Sequence, residues 1–361
     1  MNKNIKFKEN AKYDLVSPTS MGVRITPSNR QMVQISTEYH MQATSAESNV
    51  LSISASLGLK TKVLTTFVKD SQIASFIKSD LRKRNIEFEG KDIEKGGPWG
   101  YRHQFNIADS GYGMRAPRVE NDRAGEVGRT LNIKDFDLNK LFKEDGVKIL
   151  HLSGLICALS SETSNFCLEL SRCAKQNGTK ISFDLNYRAS FWKNREEELS
   201  KIFKEIASIA DILIGNEEDF QLALGIEGPE TGGKGINNKI ESFKGMINNV
   251  KKEYPNVELY ATTLREVENA NRHLWGAIVL DGNDWIVLEP REIEVLDRIG
   301  GGDAFVGGLL YGLLAEYDTK QAAQIGWASG AFVVTLLDDF GTPSSIEQLL
   351  SIWEGNARVK R

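Results

Sequence analysis

The stretch Asp297-Arg298-Ile299-Gly300-Gly301-Gly302-Asp303-Ala304-Phe305-Val306-Gly307-Gly308-Leu309-Leu310 joins three consecutive glycines to a carboxylate and then runs on as apolar sequence. It reads as a tight turn entering a buried helix. Glycine in mid-helix costs about 1 kcal/mol relative to alanine, so the adjacent pair Gly307-Gly308 implies close packing against another element. The turn aims backbone N–H groups at one point, where the helix dipole also favours an anion, and Asp303 stands beside that point. The bland alternative is a glycine linker turn with an N-capping aspartate.

Such an arrangement suits phosphoryl transfer. Preset N–H donors hold the charge developing on the moving group, and a carboxylate accepts the proton of the attacking hydroxyl. An exposed aspartate, with a reference pKa of about 3.9, is already ionised at neutral pH and needs no tuning for this task.

The rest of the chain narrows the class. Forty-five basic side chains against 49 acidic ones leave a net charge of −4 over 361 residues, with no long-range pull on nucleic acid or anionic membrane. No apolar run approaches the roughly 20 residues of a membrane span. The opening segment Met1 to Glu9 lacks the apolar core of a secretory signal, so a cytoplasmic protein acting on small molecules is expected. Cys157, Cys167 and Cys173 are too few for a disulfide framework, and His40, His103, His151 and His273 show no metal-ligand spacing. No Gly-x-Gly-x-x-Gly follows the first strand, which argues against a dinucleotide-binding dehydrogenase.

Strand and helix signals alternate from Tyr13–Val16 through Asn49–Leu57, Lys62–Phe67 and Ile73–Arg84. They alternate again from Ile149–Ser153 to a hairpin about Asp281-Gly282-Asn283-Asp284. The pattern predicts an α/β fold with a mainly parallel sheet covered on both faces. Residues 1–12 read as a poorly ordered tail, and residues 13–361 as a single domain. Segments 22–42 and 96–129 lack a helical period and are expected to form a small flap.

Three further segments follow predicted strands, where α/β sheets place their ligands. An arginine such as Arg188 in Asp184-Leu185-Asn186-Tyr187-Arg188 can grip a carboxylate, or can be a surface residue on a strand-end turn. Gly215-Asn216-Glu217-Glu218-Asp219 opens a helix with acids that also suit its dipole. Thr262-Thr263-Leu264-Arg265 ends a strand with a cation that either meets phosphates or lies on the surface.

Residues 297–310 resemble the C-terminal signature of the ribokinase-like, or PfkB, carbohydrate kinases, and Asp-Arg-Ile-Gly-Gly-Gly-Asp is similar to a 2-keto-3-deoxygluconate kinase subgroup. The resemblance implies a ribokinase-like three-layer α/β/α sandwich with a small β-sheet lid, ATP and Mg²⁺ as cofactors, and a homodimer formed through the lid. It implies Asp303 as catalytic base, with Gly300, Gly301 and Gly302 as the anion hole. Arg188, Asn186, Arg123, Asn49, Tyr101 and Asp339 fall to the substrate, with Asp338 a one-residue alternative to Asp339. Asn216, Asp219, Thr263 and Arg265 fall to the nucleotide, Asp219 replacing a glutamate and so reaching through water. Thr19, Ser20, Thr44 and Ser45 occupy places where the subgroup has Gly-Glu and Gly-Gly, which implies a remodelled sugar pocket. The implied reaction is phosphorylation of a primary hydroxyl of a sugar acid, 2-keto-3-deoxygluconate first. A neutral sugar such as fructose, another aldonic or keto acid, and a non-catalytic sugar-binding regulator are the alternatives.

Overall fold

The computed structural model describes residues 5–230 and 235–357. Its main sheet is built from β1 (Tyr13–Pro18), β4 (Thr61–Val68), β5 (Ile86–Ile93), β8 (Val147–Ser153), β9 (Lys180–Asp184), β10 (Ile212–Ile214), β11 (Leu259–Asn269), β12 (Arg272–Asp281) and β13 (Asp284–Glu294). A smaller sheet holds β2 (Gly22–Pro27), β3 (Tyr39–Thr44), β6 (Gln104–Asp109) and β7 (Arg118–Asp122). The strand order of the main sheet is β13-β12-β11-β10-β9-β8-β1-β4-β5, and that of the small one β3-β2-β6-β7.

Strands β5, β4, β1, β8, β9, β10 and β11 run parallel to one another. Strand segments such as Ile181-Ser182-Phe183 and Ile212-Leu213-Ile214 are buried on both sides, as a covered parallel sheet requires. One face packs on the helices Ser161–Gln176, Glu196–Ala207, Glu217–Leu224 and Ile240–Glu253. The other packs on Ala46–Ser56, Gln72–Lys83, Gly301–Leu314, Thr319–Val333 and Ile346–Trp353. This is the three-layer α/β/α sandwich with a lid that the sequence implies.

Three details differ from the sequence reading. Ile86–Ile93 is an unanticipated edge strand, whose charged residues Glu87, Glu89 and Lys91 hide the strand pattern and also blunt the edge. The strand that Thr262-Thr263-Leu264-Arg265 was expected to end runs on to Asn269 and returns as β12. Residues 5–12 are docked rather than free: Ile5 is buried, and the Lys12 N–H donates to the Asp145 carbonyl at 2.8 Å. Residues 1–4 of the expected tail lie outside the described residues.

Glycines fix how the Gly301–Leu314 helix sits. A Cβ at Gly307 would lie 2.4 Å from the Val50 carbonyl oxygen, and one at Gly308 2.4 Å from Ser329 Oγ. Backbone therefore meets the two neighbouring helices directly, which holds the first turn of the helix at the C-terminal edge of the parallel strands.

Candidate functional site

Gly300 adopts φ +84°, a left-handed turn that lets the chain enter the helix at Gly301. One side of this turn is packed: a Cβ at Gly300 would lie 1.8 Å from the Asp339 carbonyl oxygen, and one at Gly301 2.8 Å from Val334 Cγ1. The other side is open, since a Cβ at Gly302 would meet no atom within 4 Å. Gly302 is therefore exposed, with Asp303 next to it in the first turn of the helix.

Asp303 is half-buried and accepts a hydrogen bond from Asn49 Nδ2 at 3.1 Å. Burial pushes its carboxyl up to about 7, with the charges of Asp339 and Glu47 adding to the rise; the Asn49 bond and Arg188 oppose it. The exposed, already ionised aspartate expected from sequence is thus corrected to a tuned one. Its helix places it among other acids whose charges sequence separation hides.

Asp339 is the inward-facing acid of its pair. Thr44 Oγ1 donates to it at 2.6 Å, and its own N–H donates to Gln42 Oε1 at 3.2 Å. Asp338 instead pairs with His40 Nε2 at 2.6 Å. At the end of β9, burial, then the charges of Asp219 and Asp303, hold the Asp184 carboxyl well above the usual range, with Arg188 opposing. Asn186 follows at φ +37°, its N–H turned back onto Asp184 Oδ1 at 3.2 Å. Arg188 stands at the N-cap position of the next short helix, reaches solvent, and among the described residues its guanidinium bonds only the Tyr187 carbonyl, at 2.7 Å.

Asn216 and Asp219 form a reciprocal capping box at the start of the Glu217–Leu224 helix. Both Asp219 oxygens are engaged by backbone, Oδ2 by the Asn216 N–H at 2.8 Å and Oδ1 by the Tyr187 N–H at 2.7 Å. Asp219 thereby braces the Arg188 loop, and burial raises its carboxyl to about 6. Thr263 is half-buried on β11, and Arg265 reaches solvent two residues further. Protein packed around Arg265, then the charge of Arg298, lowers its guanidinium to about 10. Neither arginine has a hydrogen-bond partner among the described residues.

The lid contributes the remainder. Arg123 bonds Glu126 Oε1 at 2.6 Å and lies over the Phe191 ring, 4.9 Å from its centroid. Ser20 Oγ donates to the same Glu126 oxygen at 2.5 Å. Tyr101 is exposed in the loop before β6, its N–H on the Lys95 carbonyl at 2.7 Å.

Sequence reasoning missed a set of internal hydroxyl-to-carboxylate bonds. Thr19, Ser20, Thr44 and Ser45 were read as bulk against a ligand. Three of them instead donate to buried acids: Thr19 to Glu47 at 2.7 Å, Ser20 to Glu126 and Thr44 to Asp339. Ser45 caps the Ala46–Ser56 helix. Glu47 is itself buried with Oε1 unpartnered among the described residues. The signal available in sequence was the loss of glycine at Thr19, Thr44 and Ser45 and of glutamate at Ser20, together with retained acids nearby.

The residues present fit a polyphosphate: a glycine turn with an open side at the start of a 14-residue helix, and the guanidiniums of Arg265 and Arg298, which have no hydrogen-bond partner among the described residues. Among the described residues, no group of three or more His, Cys, Asp or Glu could hold a metal ion. No described helix is long and apolar enough to cross a membrane. A groove of about 1030 Å³ lies along the Glu196–Ala207 helix and is lined by none of the carboxylates above.

Known proteins resemble the chain over nearly its whole length. It is 23% identical over 353 residues to a 5-dehydro-2-deoxygluconokinase of Clostridium perfringens, covering 96% of this chain and 95% of that one. It is 24% identical over 356 residues to a 2-dehydro-3-deoxygalactonokinase of Haloferax volcanii, covering 96% and 99%. The crystal structure of 2-dehydro-3-deoxygluconokinase from Thermotoga maritima superposes with a TM-score of 0.85 at 27% identity, covering 95% of this chain and all of that one. The pfkB family carbohydrate kinase model matches residues 119–257 and 275–339, a span that takes in the Gly300–Gly302 turn, Asp303, Arg188 and Asp339. With more than half of its residues inside that model and its glycine turn and acid in place, the chain belongs to the PfkB family of carbohydrate kinases.

Proposed function

We propose that this kinase transfers the terminal phosphoryl group of ATP to the primary hydroxyl of a keto-deoxy sugar acid, with 2-keto-3-deoxygluconate the first candidate. The observation that carries the proposal is Asp303, half-buried, tuned to about 7 and set at the open mouth of the glycine turn. Asp303 takes the proton of the hydroxyl, and the freed oxygen attacks the terminal phosphorus of ATP as the bond from that phosphorus to the bridging oxygen breaks and ADP leaves with the electron pair. The Gly300, Gly301 and Gly302 amides stabilise the charge on the moving group. Arg265 and Arg298 are the cations placed to hold phosphates, with Thr263 and Asn216 along the same edge. Held there, ATP and Mg²⁺ would supply the phosphoryl group and offset its charge; with both Asp219 oxygens engaged by backbone, any metal contact from Asp219 would run through water.

On the acceptor side, Arg188 is placed to grip the acid group, Asn49 to orient the hydroxyl beside Asp303, and Asn186, Asp339, Arg123 and Tyr101 to line the cleft. A carboxylate on the acceptor would give Arg188 the anionic partner it lacks. The three named relatives act on keto-deoxy sugar acids, which supports this class. Turnover measured over a panel of sugar acids and neutral sugars tests the proposal. Replacing Arg188 with alanine is expected to lower kcat/KM for acids by about 100-fold or more, the worth of a charge-assisted bidentate contact, and to leave a neutral sugar such as fructose nearly unaffected. Equal loss on both would remove the acid group from recognition.

A second copy of the chain is the proposed partner of the lid. Ile35, Tyr39, Met41, Met114 and Val119 are exposed large apolar side chains concentrated on that small sheet and its turns. Sedimentation at micromolar concentration is expected to show a dimer, and Met41→Glu to shift it to monomer.

A further inference from the structure

We infer that Arg24, on lid strand β2, is a positioning residue for the glycine turn, so that the seat of the lid sets where the Gly300–Gly302 amides point. The inference rests on the reading of that turn as the phosphoryl site. Arg24 has no solvent exposure, and its Nη2 donates to Oδ2 of Asp297, itself buried. The two residues are 273 positions apart in sequence and come from different sheets or loops. Asp297 passes the constraint on: its Oδ1 accepts the Ile299 N–H at 3.0 Å, one residue before Gly300. The other side of this segment is fixed by backbone, because Leu296 and Asp297 both donate to the Val334 carbonyl, at 2.7 and 3.1 Å.

A second route from the lid ends at the same glycine. Gln42 and Thr44 of β3, the strand paired with β2, hold Asp339, whose carbonyl oxygen touches Gly300. The Arg24 guanidinium has no hydrogen bond from Nε or Nη1 to any described residue, so the single bond to Asp297 orients it. A buried ion pair is on average no more stabilising than an apolar pair of equal volume, whereas it fixes geometry strictly. Here the geometry fixed is that of the turn opposite the cleft, and strand β2 can move only with it.

Arg24→Met and Arg24→Lys test this. Arg24→Met is expected to lower kcat by about 100-fold, the worth of one displaced oxyanion donor, with KM for ATP and for the best sugar acid of the panel within about threefold. Arg24→Lys is expected to fall between, and added guanidinium to restore about tenfold of the Arg24→Met loss. Hydrogen exchange reads the turn itself: the Ile299, Gly300 and Gly301 amides should exchange at least about tenfold faster in Arg24→Met than in the parent, and not in Asp303→Asn. If Arg24→Met does not fold, the pair R24M/D297N, which leaves no unpaired buried charge and keeps an acceptor for Ile299, carries the same readings. Unchanged exchange at these three amides in a folded variant overturns the inference, whatever the parent phosphorylates. A parent inactive on every sugar acid, with exchange still accelerated by Arg24→Met, supports the coupling and removes only the acceptor class.

Discussion

Asp303→Asn is expected to lower kcat by about 10³–10⁴-fold, the upper range for loss of a general base, with acceptor affinity within a few-fold. Asparagine has the shape of aspartate and still offers an oxygen to Asn49 Nδ2, so the cleft keeps its form. What disappears is the group that takes the hydroxyl proton. In the parent enzyme the tuning sets the pH profile. Asp303 must be ionised to act, and with its carboxyl raised to about 7, kcat should rise about tenfold per pH unit up to about pH 7 and level off above it. A profile that is flat between pH 5 and 8 would assign the proton transfer elsewhere.

The same substitution should stabilise the protein. The folded-state pKa of Asp303 lies above the unfolded value of about 3.9, so folding favours its protonated form, and stability falls as pH rises towards about 7. Relief by asparagine is therefore full above pH 7 and absent below about pH 4. A shift from 3.8 to about 7 sets a ceiling of about 4 kcal/mol, and solvent at the half-buried carboxyl leaves about 1–2 kcal/mol. Melting curves of the two proteins at pH 8 and pH 4 check this. An Asp303→Asn chain that is both inactive and less stable at pH 8 would make the aspartate a structural cap.

How much of this was legible in sequence depended on how local the cause was. Tyr13–Val16, Lys62–Phe67 and Ile149–Ser153 were read within two residues of their observed bounds, because strands buried on both faces are short runs dominated by apolar residues between turn signals. The glycine turn and Asp303 were legible for the same reason, lying within seven residues of one another. Ile86–Ile93 was not, since an edge strand can carry as many charges as a loop. The state of Asp303 was not legible either. Its neighbours Asn49, Asp339 and Glu47 come from two other elements, and burial is a property of the assembled layers. Arg265 was read at a strand end because the alternation stops there. The ladder continues through polar residues, since β11 and β12 pair beyond the core and their turn docks on the lid, with the Ala270 N–H on the Gly113 carbonyl at 2.8 Å.

Gly300→Ala is expected to abolish measurable turnover and to cost about 3 kcal/mol or more of stability, through two separate penalties. An L-residue held at φ +84° costs about 1–2 kcal/mol. Its Cβ would also lie 1.8 Å from the Asp339 carbonyl oxygen and 2.8 Å from that residue's Cα, backbone atoms that cannot turn aside. Either the glycine turn or the Asp339 loop must move, and both carry the site. Gly302→Ala separates chemistry from folding two residues away. Its φ is not in the left-handed region, and a Cβ there meets nothing within 4 Å, so the melting temperature should stay within about 2 °C of the parent. That methyl would stand in the open mouth, where the moving phosphoryl group must pass, and kcat should drop by about 100-fold. Thermal melts and single-turnover rates of the two variants read the contrast. If Gly302→Ala were fully active, the open side of the turn would not be the path of phosphoryl transfer, and the roles given to the Gly300–Gly302 amides and to Asp303 would fall together.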